Sequence, residues 1–547
     1  MHGKVGMSRL LYQRYWLQVV GIGLLGSVAL YLYGVPDGPD VSQHYRLAQG
    51  FLESIRGGDF YPSWLSSTNG GYGDPSVRFY PPALYYILSF FRLITGDWYI
   101  ASVLTLSLLT VIGGVGMYLW ASALTKQSYA VFAALLYLLS PFHANEMYQA
   151  GLYAQCASAS VLPFVFAFTT RTIASGRWRE VGGLGLSYAL LVLSNLPLAL
   201  LGSIAVGVYA LIRHSQAFSR RSLFQLLAGL TSGLALGCIY WLPMLLERKW
   251  KRPSGSGQEQ WFDYKSNFIF HRSPNNIGDY WVPILVTTTL LMAVPAVVLL
   301  VRRNRQALAP ALVALLTFLM ATALSKPLWD AFPALQETQF PWRCLTITSA
   351  CLSILVTISL PELVQMSRAR LRPLAFALLG ITAIALSFTI LQVIRNASFQ
   401  NRSTFDEKVA SFQSLETNKY LLPVWVSGKP LTMSQPVEAE GREAQVIEWS
   451  KNRREFKVVA GAATEARLRI FYYPYWQATA EGKQLTTRPA TDGALLVSLP
   501  PTATTVTINF VEPQTTRVAG LISVLGLLAI ILLFAIKFPT ADVVTAY

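Results

Sequence analysis

Charge is what this 547-residue chain is short of. Only 13% of its residues are Asp, Glu, Lys or Arg, where a soluble globular domain carries about 25%. With 53% hydrophobic residues, the chain has too much apolar surface for a single water-facing globule. Cysteine is scarce as well. Cys156, Cys238, Cys344 and Cys351 lie within or at the edge of apolar runs and show no CxxC spacing, which excludes a secreted disulfide framework and leaves four small buried hydrophobes. HExxH, spaced Cys/His metal clusters and a Gly-rich phosphate loop are all missing, so the familiar nucleotide and zinc chemistries have no seat. The formal charge of +16 is spread over short connections and not gathered on one face with aromatics, which sets nucleic acid aside.

What is present is a series of apolar runs, and a run of about 20 residues wound as a helix matches the hydrocarbon thickness of a bilayer. The expected fold is mainly α, a polytopic helical bundle. Cytoplasmic loops collect Lys and Arg, and the loops around Lys126, Arg171 to Arg179, Arg213 to Arg221, Arg302 to Arg305, Arg368 to Arg372 and Lys537 can all share that side. This solution predicts about 12 crossings, at 16–33, 100–121, 128–142, 153–172, 183–195, 198–212, 223–246, 281–301, 307–325, 342–360, 373–394 and 518–536. It requires that Phe79–Thr95, which follows Phe-Tyr-Pro-Pro and carries Arg92, be interfacial or re-entrant. The run after Lys4, Arg9 and Arg14 has no small-x-small site behind it and reads as an uncleaved first helix.

Residues 395–517 lose the long runs and gain short alternating ones, such as Ala466-Arg-Leu-Arg-Ile-Phe-Tyr and Thr505-Val-Thr-Ile-Asn-Phe. Period-2 alternation between Gly and Pro punctuation predicts a small β-rich domain, inserted before a final helix and tail at 518–547. The bundle domain is 1–394, with a first outer loop at 34–99. All the polar-rich connections fall on the outer face.

The densest of these is Pro36-Asp-Gly-Pro-Asp-Val-Ser-Gln-His-Tyr-Arg46, at the end of the first run. Asp40 is placed to cap the helix expected over Val41–Ile55, a structural role that Asp favours. The same helix would put Asp40 and His44 on one face, with Asp37 close by. The long segment Phe60 to Pro82, rich in aromatics, glycine turns, Asn and Asp, is the kind of loop that is uncommon unless functional; Asp74 and Arg78 are its candidates. Further outer-face candidates are Glu146 beside His143, Asn195 at a break between two helices, and Arg343 at the start of an apolar helix, with Arg272 and Lys326 as additional cations. The loop from Glu247 to Tyr280, with Trp250, Trp261, Asp263, His271 and Asp279, is placed to cover a site.

An Asp just after the first helix, a helix bearing His and Arg, then Trp-Leu, Asn-Gly-Gly-Tyr-Gly and Phe-Tyr-Pro-Pro resemble the YfhO-like and 6-pyruvoyl-tetrahydropterin-synthase-related bacterial membrane proteins. These are similar to the GT-C superfamily of polytopic glycosyltransferases. Gln339-Phe-Pro-Trp-Arg343 and Tyr473-Pro-Tyr-Trp-Gln-Ala-Thr-Ala-Glu-Gly-Lys carry the same resemblance. It implies a polyprenyl-phosphate sugar donor, an acceptor glycan, lipid or protein, inverting transfer outside a bacterial cytoplasmic membrane, and a first-loop Asp as general base, here Asp40 with Asp37 as the near alternative. On that reading His44 and Glu146 join Asp40 in the chemistry. Asp37, Asp74, Arg78, Asn195, Arg272, Lys326 and Arg343 contact substrate, with Arg343 suited to a lipid phosphate. The family's second acidic pair has no counterpart beyond Glu146, so metal ligands are unassigned and a divalent cation is an open cofactor.

A lipid-linked glycan transporter or flippase would share this hydrophobicity. A translocation path places ionisable groups near mid-membrane, whereas here they crowd the outer helix ends, which favours the enzyme. A non-catalytic GT-C-like partner subunit is the remaining alternative.

Overall fold

The computed structural model describes residues 2–216, 219–252, 262–270, 304–364, 371–411, 421–427, 433–451 and 453–536. Most of these residues are helical. Among the described residues five helices are long and apolar enough to span a membrane: Trp98–Ser122, Tyr153–Ser175, Leu196–Gln216, Pro341–Val364 and Gln514–Ala535. A sixth span exists if Arg220–Leu236 and Cys238–Trp250, bent by 67°, are taken as one broken helix. The described residues thus hold five or six such spans, and the expected number of about 12 is not confirmed. Gln127–Leu138, Trp178–Ser194 and Arg305–Ala321 fall where crossings were expected but have 12, 17 and 17 residues; at 1.5 Å per residue they reach only about 18 to 26 Å against a hydrocarbon core of about 30 Å. The first expected crossing is divided at Ser27 into His2–Gly26 and Val28–Tyr33, and that at 281–301 lies outside the described residues. Ala83–Thr95 is a 13-residue helix stopped by left-handed Gly96, about 20 Å long, as an interfacial or re-entrant segment would be.

Close helix contact rests on small residues, as it must where lipid gives apolar surfaces no reason to associate. A Cβ on Gly233 would stand 2.4 Å from the Gly185 carbonyl oxygen, so Trp178–Ser194 and Arg220–Leu236 meet backbone to backbone. All four cysteines are buried and unpaired, in keeping with their apolar surroundings. Arg171 donates to the Leu119 carbonyl and Gln216 to that of Arg305, so these basic connections gather at the bundle end opposite Asp40.

The β-rich region is a sandwich over Val437–Phe510. One sheet has the order β3 (Val437–Ala439), β6 (Thr464–Phe471), β10 (Ala494–Leu499), β9 (Thr487–Pro489). The other runs β4 (Ala444–Trp449), β5 (Arg453–Val458), β11 (Thr504–Phe510), β7 (Trp476–Ala480), β8 (Lys483–Leu485). The alternation read from sequence is realised: Phe456, Val458, Ala466, Leu468, Val506 and Ile508 point inward and are buried. Arg454 also points inward, its guanidinium 5.3 Å from the Trp449 ring and 5.6 Å from that of Trp476.

Three devices join this sandwich to the bundle. A two-stranded sheet pairs β1 (Val35–Asp37) with β2 (Ser398–Gln400), so the chain entering the first loop is hydrogen-bonded to the chain leaving the last bundle helix before the sandwich. The loop from Phe60 to Pro82 then sends Trp64 and Tyr72 into the sandwich core; Trp64 is edge-on to Trp476 at 5.4 Å, and Phe471 N–H donates to the Tyr72 carbonyl at 2.9 Å. Finally, Arg78 donates to both oxygens of buried Glu247, from Nε at 2.6 Å and Nη2 at 2.5 Å, and to Glu512 at 2.9 Å. Tyr473 and Tyr475 donate to the same Glu247 carboxylate at 2.7 and 3.1 Å. Much of the loop from Phe60 to Pro82 thus serves as a plug and an ion-pair clamp.

Candidate active site

Asp40 precedes the Val41–Arg56 helix, and its side chain makes no capping hydrogen bond. Among the described residues it has no hydrogen-bonded or ion-paired partner. Two glycines bring it to its place. Any Cβ on Gly38 would lie 2.7 Å from the Ala150 carbonyl carbon, and one on Gly151, at φ +64°, would lie 2.7 Å from Val41 Cγ2. Only residues without a Cβ let the first loop press against the 149–152 turn this closely. Tyr153 fastens the contact by donating to the Pro36 carbonyl at 2.7 Å.

On the far side of that turn stand Glu146 and Gln155, and against them Arg343. The Gln339-Phe-Pro-Trp-Arg motif acts here as a holder for the guanidinium: Phe340 lies 4.8 Å and Trp342 5.9 Å from it. Arg343 Nη1 donates to the Thr338 carbonyl at 2.5 Å and Nε to Gln155 Oε1 at 2.8 Å. Gln155 in turn donates from Nε2 to Glu146 Oε1, which also accepts from Thr346 at 2.9 Å. Arg343 is buried, so it is no surface anchor, and its Nη2 makes no hydrogen bond to a described residue. Its positive charge acts on Asp40, Tyr80 and Glu146.

Burial raises the Asp40 carboxyl above its usual range, and the Arg343 charge pulls it part of the way back. Burial pushes Glu146 up to about 8, against the hydrogen bonds from Thr346 and Gln155 and the charge of Arg343; at neutral pH it is mainly the uncharged acid. His44 and His143 are each lowered to about 4 by burial and are neutral. His44 is stacked on Tyr153 at 5.5 Å, with Nδ1 3.3 Å from the Tyr85 hydroxyl. His143 Nδ1 is 3.9 Å from Glu146 Oε2.

A stability consequence follows for Glu146. Folded Glu146 holds its proton to about pH 8, against 4.5 for an ordinary glutamate, so the native state binds the extra proton between those values. Stability therefore falls as pH rises through that window, by at most about 1.4 kcal/mol per pH unit. Melting of Glu146→Gln between pH 5 and 8 is expected to lose that part of the slope; an unchanged slope would show that the carboxyl does not titrate there.

The remaining candidates go elsewhere. Asp37 pairs with Lys408 at 2.7 Å. Asp74 accepts from Asn69 at 2.8 Å and from the Ser76 amide at 2.8 Å, organising its own loop. Arg78 belongs to the Glu247 clamp, Asn195 caps its helix by accepting from the Leu198 amide at 2.9 Å, and Lys326 is exposed and paired with Asp330 at 2.6 Å. Arg272, with Trp261, His271 and Asp279 of the expected covering loop, lies outside the described residues. Trp250 of that loop packs on Tyr473 and Tyr475. Among the described residues no group of three or more His, Cys, Asp or Glu is placed to hold a metal ion. A cavity of about 350 Å³ is lined by Glu53, Ser54, Asp59 and Lys451 among others; it sits toward the opposite end of the Val41–Arg56 helix, about 20 Å along it from Asp40.

Sequence reasoning missed Gln155 and Tyr80. Gln155 had a signal: an amide in the first turn of an apolar membrane helix is expensive unless it is used.

A family model for the 6-pyruvoyl-tetrahydropterin synthase related domain, described as a membrane protein, matches residues 77–400. The chain belongs to this family. The matched region holds Tyr80, Glu146, Gln155 and Arg343, while Asp40 precedes it. No curated protein matches the chain. Among solved structures, arabinofuranosyltransferase AftD from Mycobacteria is 17% identical over 70% of this chain and 27% of its own, with a TM-score of 0.48. ArnT from Cupriavidus metallidurans bound to undecaprenyl phosphate is 15% identical over 73% and 76%, at 0.39. The archaeal oligosaccharyltransferase AglB from Archaeoglobus fulgidus, with an inhibitory peptide and a dolichol-phosphate, is 15% identical over 78% and 62%, at 0.41. This chain thus spans about a quarter of the length of the arabinofuranosyltransferase.

Proposed function

We propose that this protein is a GT-C-type glycosyltransferase that moves a sugar from a polyprenyl-phosphate donor to a glycan, lipid or protein acceptor at the outer face of a bacterial cytoplasmic membrane. The observation that carries the reading is a carboxylate without a hydrogen-bond partner, Asp40, within the field of a buried guanidinium, Arg343, at one end of a membrane helix bundle. Outer placement is supported by the gathering of basic connections at the other end, which the positive-inside tendency assigns to the cytoplasm.

Sugar transfer requires those two groups. The acceptor hydroxyl oxygen attacks the anomeric carbon while its proton passes to Asp40, a general base within reach of the attacking atom. The bond from the anomeric carbon to the phosphate oxygen breaks, and the electron pair leaves with the polyprenyl phosphate. Arg343, already fixed by Thr338 and Gln155, presents its remaining Nη2 to that developing charge. Such a preorganised cation stabilises the leaving group without having to move. Asp40, raised by burial, is a better proton acceptor than an ordinary surface carboxylate.

The test is to give the purified full chain in lipid a panel of polyprenyl-phosphate sugars and measure release of polyprenyl phosphate together with acceptor glycosylation. Release with at least one donor supports the reading. If every donor is left intact while a fluorescent lipid-linked glycan moves between leaflets, the transporter reading replaces it.

A further inference from the structure

We infer that Gln155 is a positioning residue that aims Arg343, with Glu146 fixing which way its amide faces. This rests on the reading of Arg343 as the seat of the donor phosphate. A glutamine side chain can be flipped at almost no cost, and flipped here its NH₂ would oppose the Arg343 Nε–H donor. Glu146 prevents that. Its Oε1 accepts from Gln155 Nε2 and from Thr346, and it does so whether the carboxyl is neutral or charged. Gln155 Oε1 is thereby committed to Arg343 Nε at 2.8 Å.

The arrangement has one purpose that simple packing would not require. Arg343 carries five N–H donors in a rigid plane. Nε is held by Gln155 and Nη1 by the Thr338 carbonyl, while Phe340 and Trp342 border the guanidinium. Two hydrogen bonds to one planar group fix its rotation about the last torsion, so the direction of Nη2 is set by its neighbours. Gln155 and Glu146 are both buried, 1% exposed each, and come from different elements, Tyr153–Ser175 and Pro141–Tyr148. The result is a relay of Thr346, Glu146, Gln155 and Arg343 that leaves both N–H groups of Nη2 without a hydrogen bond to a described residue. A residue that acts only through Arg343 should matter only while Arg343 is there.

That condition defines a double-mutant cycle. The full chain in nanodiscs is titrated with undecaprenyl phosphate as the probe, as the wild type and as Gln155→Leu, Arg343→Ala and the double variant, with Arg343→Lys as a second background should alanine fail to fold. Gln155→Leu is expected to weaken binding about tenfold in the wild type and less than twofold in either Arg343 background. Its cost in melting temperature should also shrink without Arg343, because the hydrogen bond that it breaks goes to that guanidinium,; the binding losses are therefore compared at a temperature where all four proteins are folded. Equal losses of binding with and without Arg343, or no loss in the wild type, would overturn the positioning role while leaving the phosphate seat intact. Undiminished binding by both Arg343 variants would remove the seat itself, and the positioning role with it.

Discussion

Asp40→Asn is expected to lower sugar transfer by about 10²- to 10⁴-fold, the usual contribution of a positioned general base, with little change in folding. Both halves follow from the environment. Asp40 makes no capping hydrogen bond to lose, and Asn is as good a residue at this helix position as Asp, so the Val41–Arg56 helix should form unchanged. Asparagine keeps the shape but cannot take a proton at neutral pH. Initial rates of transfer and the melting curve of the two proteins test this together. In the wild type the rate should fall as the medium is acidified through the Asp40 pKa, at a pH above the ordinary carboxylate range because burial raises that group. Transfer by Asp40→Asn within twofold of wild type would remove Asp40 from the mechanism.

Arg78→Ala should be the most destabilising single change in the clamp, by about 3–5 kcal/mol, the cost of leaving a buried charge without its partner. Glu247 would be stranded: it is 2% exposed and its carboxylate is shared by Arg78, Tyr473 and Tyr475. Arg78→Lys is expected to recover little, since one ammonium cannot replace a fork that meets Glu247 from Nε and Nη2 while Nη1 reaches Glu512,. Joint replacement by Arg78→Met and Glu247→Leu should recover much of the loss, because the charge and its partner leave together. Limited proteolysis of the sandwich and thermal melting would both report this. A melting temperature for Arg78→Ala equal to that of wild type would show that the clamp does not hold the two parts together.

How far these features were legible in the sequence depended on how local their causes are. The sandwich strands were readable because alternation is a property of adjacent residues, and Val506 and Ile508 are inward where the pattern places them. The number of crossings was less legible, because hydropathy does not show where a helix stops: Gln127–Leu138 and Arg305–Ala321 are apolar but have 12 and 17 residues. Asp40 and Arg343 could each be singled out from their places at helix ends, yet nothing in the sequence joins residues some 300 positions apart. What the aromatic loop packs against was illegible for the same reason: Trp64 and Tyr72 enter a core made by strands about 400 positions on. Glu146 was visible as a lone acid, but its role depends on Gln155, nine residues on, and on an arginine from another helix.

The central claim is that one site, built from Asp40 and Arg343, holds the donor phosphate and the reacting sugar. An electron cryo-microscopy structure of the Asp40→Asn protein with a polyprenyl-phosphate sugar tests it most directly. The phosphate is expected to be hydrogen-bonded to Arg343 Nη2, with the anomeric carbon facing residue 40. A donor phosphate bound away from Arg343, with residue 40 remote from the sugar, would contradict it.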